Sequence, residues 1–281
     1  MYIDTHCHLS LEDYDDIDLV IKENRENDIS KIIISGYSRD TIKETLDLIS
    51  KYPDVYATIG YHPSEADITN ESDLIILEEQ LQREKVVGIG EIGLDYHYGT
   101  DNKSKQIELF RRQMDIAEKY KLPVVIHSRD ATEDTINILK EYPSVIGDMH
   151  CFSGSLEVAR IYVNMGYKLG IGGVVTFKNS NLYKVVESIG LENIILETDS
   201  PYLTPEPFRG KKNASKYIPY IAEKVASIVN KDVSEVAKIT TDNACSLFDL
   251  KWKLWYLIYD KRVGEMWWKS RKIIIVFLKL F

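Results

Sequence analysis

The strongest constraint on the fold is a regular alternation of short, β-branched apolar segments with longer amphipathic segments. The apolar segments predict eight strands, at residues 2–7, 31–35, 55–60, 86–91, 123–127, 145–150, 167–171 and 194–198. The segments between them predict helices. Residues 104–120 have apolar side chains near a 3.6-residue period, and residues 155–165 begin with a serine suited to a helix cap. This alternation indicates parallel strands covered by helices.

Eight such units within about 250 residues predict an α/β fold of the (β/α)8 TIM barrel type. The alternative is a doubly wound open sheet. The dinucleotide-binding form of that sheet carries G-x-G-x-x-G after its first strand, and this sequence has no such motif there. The barrel is therefore the better prediction.

Side chains that can bind metal ions lie at or just beyond the carboxyl ends of six of the eight predicted strands. They are His6 and His8 at the end of the first strand, His62 at the third, Glu91 at the fourth, His127 at the fifth, His150 at the sixth and Asp199 at the eighth. In a barrel these strand ends meet at one rim, where barrel enzymes hold their active sites. The sequence thus predicts a metal site at the carboxyl-terminal rim of the strands.

The donor set predicts the kind of metal site. Histidine nitrogens with carboxylates, and no cysteine cluster, suit zinc or manganese, with magnesium possible if oxygen ligands dominate. Six ligands are too many for one zinc ion that keeps a water, so two divalent ions sharing a carboxylate fit better. Such a pair activates water and stabilises the oxygens of a phosphodiester, which makes hydrolysis the expected reaction.

Composition changes near residue 250 and divides the chain into a predicted barrel domain, 1–250, and a tail of unknown role, 251–281. The net charge is −15 over the first part and +6 over the second, which also holds all four tryptophans. The acidic barrel domain argues against binding along a nucleic-acid backbone, which requires a basic surface, but it does not argue against binding of one strand end at a metal ion. We expect the tail to pack weakly on the barrel.

The lack of a recognisable signal peptide and the spacing of the cysteines predict a cytoplasmic protein. The first residues are acidic and lack the basic and apolar regions of a signal peptide. The three cysteines have neither metal-binding nor redox spacing. The apolar run at residues 273–281 is too short to span a membrane, so no membrane partner is predicted.

Seven motifs, in order along residues 1 to about 250, give the chain a family resemblance. They are DTHCHL (4–9), GYHP (60–63), GEIGLDY (90–96), HSR (127–129), HCFSG (150–154), ETDSPYLTP (197–205) and RGKKN (209–213). The chain resembles the TatD-type metal-dependent deoxyribonucleases of the amidohydrolase-like superfamily. This resemblance implies a (β/α)8 barrel, a divalent metal pair and hydrolysis of DNA, often as a 3′ to 5′ exonuclease. The implied partner is DNA, as single strands or 3′ ends.

The resemblance also implies roles for individual residues. His6, His8 and Asp199 would bind one metal ion, His127 and His150 the other, and Glu91 would bridge them. Asp199 would also act as a general base. His62 would contact the scissile phosphate or the leaving group; the alternative is a loop histidine bonded to a backbone carbonyl.

Basic side chains near the strand ends are candidates for substrate binding. Arg129 follows a predicted ligand strand, and Arg209, Lys211 and Lys212 follow the loop of Asp199. Arginine suits bidentate phosphate recognition, while the lysines can equally be solvated loop charges.

Two other function classes stay open. One is a related metal barrel that hydrolyses a small amide, lactone or nucleobase. Such relatives often bridge their metals with a modified lysine, and here Glu91 and His127 stand at the ends of strands four and five. The other is a barrel that keeps metal only as structure and serves as a binding module. Ligand-type residues at every expected strand end argue against it.

Overall fold

A computed structural model describes residues 1–250 and contains eight parallel strands in one sheet whose order follows the sequence. The strands are β1 (Tyr2–Cys7), β2 (Ile29–Gly36), β3 (Val55–Ile59), β4 (Val86–Asp95), β5 (Val124–Arg129), β6 (Gly147–Met149), β7 (Lys168–Ile171) and β8 (Ile194–Leu196). This confirms the predicted (β/α)8 TIM barrel. The predictions for the tail, 251–281, lie outside the described residues, and the domain boundary near residue 250 stays a prediction.

Helices cover the outside of the barrel. Over the described residues they are α1 (Ile17–Glu26), α2 (Arg39–Lys51), α3 (Glu71–Gln80), α4 (Lys103–Tyr120), α5 (Thr132–Leu139), α6 (Leu156–Asn164), α7 (Leu182–Ile189), α8 (Ile218–Val229) and α9 (Val233–Leu247). Short 3-10 turns lie at Pro63–Glu65, Gly173–Thr176, Leu191–Asn193 and Ser215–Tyr217. Within residues 1–250, no helix is long and apolar enough to span a bilayer.

Polar side chains determine where several helices begin. Ser38 and Thr41 form a reciprocal capping box at the start of α2, and Asn70 and Asp73 form another at the start of α3. Ser155 accepts a backbone hydrogen bond at the start of α6, as its position in the sequence predicts. These caps satisfy backbone N–H groups that have no partner inside the helix.

The strands are apolar because both of their faces are covered. Ile33, Ile34 and Ile59 are fully buried, between the barrel interior and the surrounding helices. Parallel strands whose two faces are both covered have continuous apolar sequences, and this is why the sequence shows their alternation with amphipathic helices.

Strand β4 is longer than predicted, so Glu91 lies within the strand instead of at its end. The pairing of β4 with β5 shifts register between Ile89 and Ile92 and then continues to Asp95. Gly93 permits this continuation: its φ is +140°, and a Cβ atom there would lie 2.0 Å from the carbonyl oxygen of His127. Only glycine tolerates both conditions.

Side-chain and backbone hydrogen bonds join β1 to β8 and to the segment that follows β8. The Asp4 carboxylate accepts hydrogen bonds from the Thr198 backbone N–H (2.9 Å) and hydroxyl (2.6 Å). One residue after Thr198, beyond the end of β8, the Asp199 N–H donates to the His6 carbonyl at 3.0 Å. These bonds therefore bring His6 and Asp199 together at the rim.

Candidate metal centre

Six of the predicted site residues converge at the carboxyl-terminal rim of the barrel. We call this set the rim cluster: His6, His8, Glu91, His127, His150 and Asp199. Potential ligand atoms of His6, His8 and Glu91 lie within 4.8 Å of one another, and so do those of Glu91, His127 and His150. Glu91 is thus common to two groups of candidate ligands.

The two carboxylate oxygens of Glu91 face different histidines. Oε1 lies 2.7 Å from Nδ1 of His127 and 2.9 Å from Nε2 of His150. Oε2 lies 3.6 Å from Nε2 of His6 and 3.7 Å from Nε2 of His8. One oxygen toward each histidine pair is the arrangement that a bridging carboxylate requires.

Asp199 completes the group around Oε2 of Glu91. Its Oδ1 lies 3.7 Å from Nε2 of His6 and 3.6 Å from Nε2 of His8. The Asp199 backbone is left-handed (φ 52°), which is uncommon for a residue other than glycine. The two histidines and two carboxylates form a set of hard and borderline donors suited to a divalent ion.

Unpaired ring nitrogens indicate that the rim cluster fits metal ions. His6 is fully buried, yet neither of its ring nitrogens has a hydrogen-bond partner, and the same is true of Nδ1 of the buried His150. A buried polar atom without a partner costs roughly 1–3 kcal/mol. Coordination by a metal ion would satisfy Nε2 of His6, which faces both Glu91 and Asp199.

The hydrogen bonds of His8 and His62 assign different tautomers to their rings. Nδ1 of His8 faces the Ser35 carbonyl oxygen at 3.4 Å, so it carries the proton and leaves the lone pair on Nε2 toward the rim cluster. Nδ1 of His62 instead accepts the backbone N–H of Ser64 at 3.1 Å. The His62 proton is therefore on Nε2, which lies 3.8 Å from Glu91 Oε1. His8 is poised as a ligand and His62 as a hydrogen-bond donor.

His127 is held between two carboxylates. Its Nδ1 faces Glu91 and Nε2 of His150, 3.2 Å away, while its Nε2 lies 3.1 Å from Oδ2 of Asp95. Burial lowers the pKa of His127, but hydrogen bonds to Asp95 and Glu91 outweigh it and raise the pKa to about 9. Asp95, the aspartate of the GEIGLDY motif, thus makes a direct contact with a candidate ligand.

Burial and neighbouring charges set the charge states of the two carboxylates of the rim cluster, of His6 and of the adjacent His62. Burial acts to raise the pKa of Glu91, but the neighbouring histidines hold it well below its ordinary value. The pKa of Asp199 is lowered in the same way by His8. Burial and the charge of His150 lower the pKa of His6, and burial lowers that of His62 to about 4. Carboxylates are thus ionised and these two imidazoles neutral.

Three fully buried carboxyl groups lie two residues before members of the rim cluster: Asp4 before His6, Asp148 before His150 and Glu197 before Asp199. Burial raises the pKa of Asp4 to about 6 and that of Asp148 to about 7, and burial and Asp148 raise the pKa of Glu197. The repeated D-x-H, D-x-H and E-x-D spacing would have identified all three, because residues two apart on a strand share a face.

Glu197, just after β8, is hydrogen-bonded to the turn that follows β6. Its Oε1 accepts the Cys151 backbone N–H at 2.5 Å, next to His150. Cys151 has a left-handed backbone (φ 47°), which is sterically unfavourable for this residue type. The bond from Glu197 therefore stabilises the turn that orients His150, as second-layer residues of metal sites do.

The predicted basic residues lie around the rim with contacts of their own. Arg129 is over the ring of Tyr98, and Tyr98 lines a cavity of about 330 Å³ together with His62 and Asp95. Arg209 stacks 3.9 Å from the ring centre of Phe177 and donates to a backbone carbonyl.

The predicted lysines of the same loop also have partners. Lys211 lies over the ring of Phe208, and Lys212 donates to the Asp13 carbonyl. Arg129 is therefore the basic residue with the clearest connection to the cavity beside His62.

Comparison with known proteins finds a matching family profile and similar sequences. The chain matches the sequence profile described as TatD related DNase over residues 3–249. It is 46% identical over 252 residues to a Bacillus subtilis (strain 168) protein named uncharacterized metal-dependent hydrolase YabD, covering 88% of this chain and 99% of YabD. It is 33% identical over 255 residues to the similarly named YcfH of Escherichia coli (strain K12), covering 88% of this chain and 96% of YcfH.

Solved structures agree with the sequence comparison. YjjV, a TatD homologue from Escherichia coli K12, has a TM-score of 0.82 and 30% identity, covering 89% of this chain and 98% of YjjV. An amidohydrolase from Burkholderia multivorans with bound zinc has a TM-score of 0.63 at 12% identity, covering 89% and 100%. At that identity the likeness concerns the fold alone.

Proposed function

The chain belongs to the TatD-related DNase family and is a metal-dependent hydrolase, and from this premise we propose that it is a deoxyribonuclease acting through two divalent metal ions. We further propose that it removes nucleotides from the 3′ end of single strands, in the cytoplasm. The observation that carries the two-ion proposal is the orientation of Glu91, whose two oxygens face two different histidine pairs.

We propose ligands for each ion from the rim cluster. His6, His8 and Asp199 would hold one ion, His127 and His150 the other, and Glu91 both. The mixed nitrogen and oxygen donors are compatible with zinc, manganese or magnesium. When bound, such an ion pair lowers the pKa of water and stabilises negative charge on phosphodiester oxygens.

The protein's own side chains would then bind the substrate and move the proton. Asp199, ionised and next to His6 and His8, is placed to accept the proton of the attacking water as general base. His62 carries its proton on Nε2, so it would donate a hydrogen bond to a phosphate oxygen or to the leaving oxygen. Asp95 would keep Nδ1 of His127 directed at the cluster by accepting the proton on Nε2.

Substrate phosphates need positive charge at the rim, because the rest of the domain is acidic. Arg129 supplies it beside the cavity that His62 and Asp95 line. Arg209 and Lys211 are proposed to contact phosphates further along the strand, by moving from their present aromatic partners. Two or three such contacts suit binding of a strand end better than binding along a duplex.

Degradation of end-labelled single-stranded DNA tests the proposal. Purified protein is incubated with magnesium, manganese or a chelator, and bound metal is counted by mass spectrometry. We expect two ions per chain and a metal-dependent ladder from the 3′ end, both lost in Glu91→Gln. The exposed Glu84→Gln is the matched control and should behave as wild type.

Two results would contradict the proposal in different ways. A single ion per chain in the wild-type protein would remove Glu91 as a bridge. Two ions without cleavage of any DNA would remove the nuclease activity, and a panel of amides, lactones and nucleobases would then identify the hydrolysed bond.

A further inference from the structure

We propose that Tyr202 stacks on a nucleobase of the DNA strand whose phosphodiester enters the rim cluster. This inference rests on the proposed nuclease function and specifies how the substrate is recognised. The observations that carry it are the position of the Tyr202 ring, the anchoring of its backbone and its exposure.

Tyr202 lies beside the candidate ligands. Its ring centre is 6.3 Å from that of His8, and the two planes meet at 66°. The half-buried Tyr37 contacts the same histidine, with ring centres 5.2 Å apart. The 6.3 Å separation is about twice the roughly 3.4 Å rise per nucleotide of a DNA strand. A base attached to a phosphate at the rim cluster is therefore within reach of the Tyr202 ring.

The backbone of Tyr202 is held firmly. Its N–H donates to the Asp199 carbonyl at 2.9 Å. The side chain of Asn213, which is fully buried, donates to the carbonyls of Tyr202 (2.5 Å) and Thr198 (2.8 Å). These bonds fix the segment from Thr198 to Tyr202, so that the ring keeps a constant relation to Asp199.

The ring itself is largely open to solvent, with 59% of the residue exposed. Tyr98, the other strongly exposed tyrosine near the site, carries the guanidinium of Arg129 over its ring. Among residues 1–250, no cation is found over the ring of Tyr202. A large aromatic side chain with a rigid backbone and a free face beside candidate catalytic groups is the form that stacking platforms take in proteins that bind single strands.

Stacking on Tyr202 implies a particular substrate. Every nucleobase has a π face, so a stacking contact accepts all four bases. A base can reach the ring only after leaving its own stack and pair, which an unpaired strand end does most easily. The contact therefore predicts a preference for single strands without a marked sequence preference.

A double-mutant cycle between the protein and the substrate tests the proposal. The proteins are wild type, Tyr202→Ala, Tyr202→Phe and, as a ring deletion at the opposite end of the barrel, Tyr120→Ala. The substrates are an oligothymidylate and versions with one abasic nucleotide at the terminal, second or third position. Stacking is worth about 1–3 kcal/mol per base, so Tyr202→Ala should raise KM about 5- to 150-fold on the intact strand with kcat nearly unchanged.

The abasic substrates distinguish stacking from a structural effect. At one position the missing base should make wild type and Tyr202→Ala equal in KM, because the partner of the ring is gone. Tyr202→Phe should retain wild-type KM, and so should Tyr120→Ala. An equal loss in Tyr202→Ala on all substrates, or no loss on any, overturns the proposal.

Failure of the proposed function is separable from failure of this inference. If wild type cleaves no DNA with magnesium or manganese, the nuclease proposal fails. The stacking contact is then measured directly by fluorescence anisotropy of the same labelled oligothymidylates. A Kd that is equal for wild type and Tyr202→Ala on the intact strand would refute the stacking contact.

Discussion

Replacing Asp95 by asparagine should weaken one metal site and leave the other nearly unchanged. Asp95 accepts two hydrogen bonds, from the His97 backbone N–H to Oδ1 (2.8 Å) and from Nε2 of His127 to Oδ2 (3.1 Å). A carboxylate can accept both, whereas an amide has one accepting oxygen and must turn its NH2 group toward the other donor. If the amide faces His127, the ring must put its proton on Nδ1, the atom that faces Glu91.

The expected loss of metal affinity follows from the burial of the Asp95–His127 contact and from its involvement in only one of the two proposed metal sites. The Asp95 side chain is only 11% exposed, so water cannot easily replace the lost acceptor. Loss of such an outer partner typically lowers metal affinity by about 10- to 100-fold, or about 1.4–2.7 kcal/mol. The affinity of the site formed by His6, His8 and Asp199 should change less than about threefold, because none of these residues contacts Asp95.

Competition with a fluorescent zinc chelator resolves the two affinities, and Asp130→Asn provides a matched control. Asp130 accepts from Nδ1 of His97 at 3.0 Å, but this pair is exposed and outside the rim cluster. We expect wild-type affinities in Asp130→Asn. Equal weakening of both sites in Asp95→Asn, or an unchanged pair of affinities, would show that Asp95 does not orient His127.

Two further predictions concern stability. A Cβ atom at Gly170 would lie 2.3 Å from Oε2 of the buried Glu197, so Gly170→Ala should lower the free energy of unfolding in urea by about 2 kcal/mol. Gly172→Ala is the control, because its Cβ atom would lie no closer than 3.6 Å to any atom outside its own residue and its two chain neighbours, and it should change this free energy by less than about 0.5 kcal/mol. The hydrogen bond to Arg39 lowers the pKa of Asp73, so the pair stabilises the fold at neutral pH, and this stabilisation is lost as the pH falls below 3.8. Asp73→Asn should therefore lower the free energy of unfolding by about 1–2 kcal/mol at pH 7. Urea unfolding at pH 3.5 should show a smaller difference in this free energy between the variant and wild type.

The barrel and the convergence of the rim cluster were predictable because both follow from periodicity. Strand and helix periods differ, and the carboxyl ends of parallel strands meet at one rim, so ligand-type residues after six strands had to come close together. The extent of β4 was not predictable. A register shift after Ile89 and the φ of Gly93 carry the strand past Glu91 to Asp95, and neither is visible in an apolar run.

Side-chain partners explain the remaining differences. The tautomer of His62 depends on the Ser64 N–H, which a local turn directs at its ring. The side chain of Arg209 stacks on Phe177, a residue 32 positions earlier that packing alone brings near. Such contacts depend on rotamers and on loop geometry. Sequence periodicity predicts which face a residue occupies, but not which atom of a neighbour it reaches.

The distribution of charge links the site to the proposed substrate. Residues 1–250 carry a net charge of −15, which repels a polyanion over most of the surface. Two divalent ions held by the carboxylates of Glu91 and Asp199 would leave the rim cluster with net positive charge, and Arg129 adds to it. Attraction is then confined to one rim, where only a few phosphates can bind at a time. A base contact at Tyr202 would supply the affinity that the acidic surface does not, because stacking requires no positive charge.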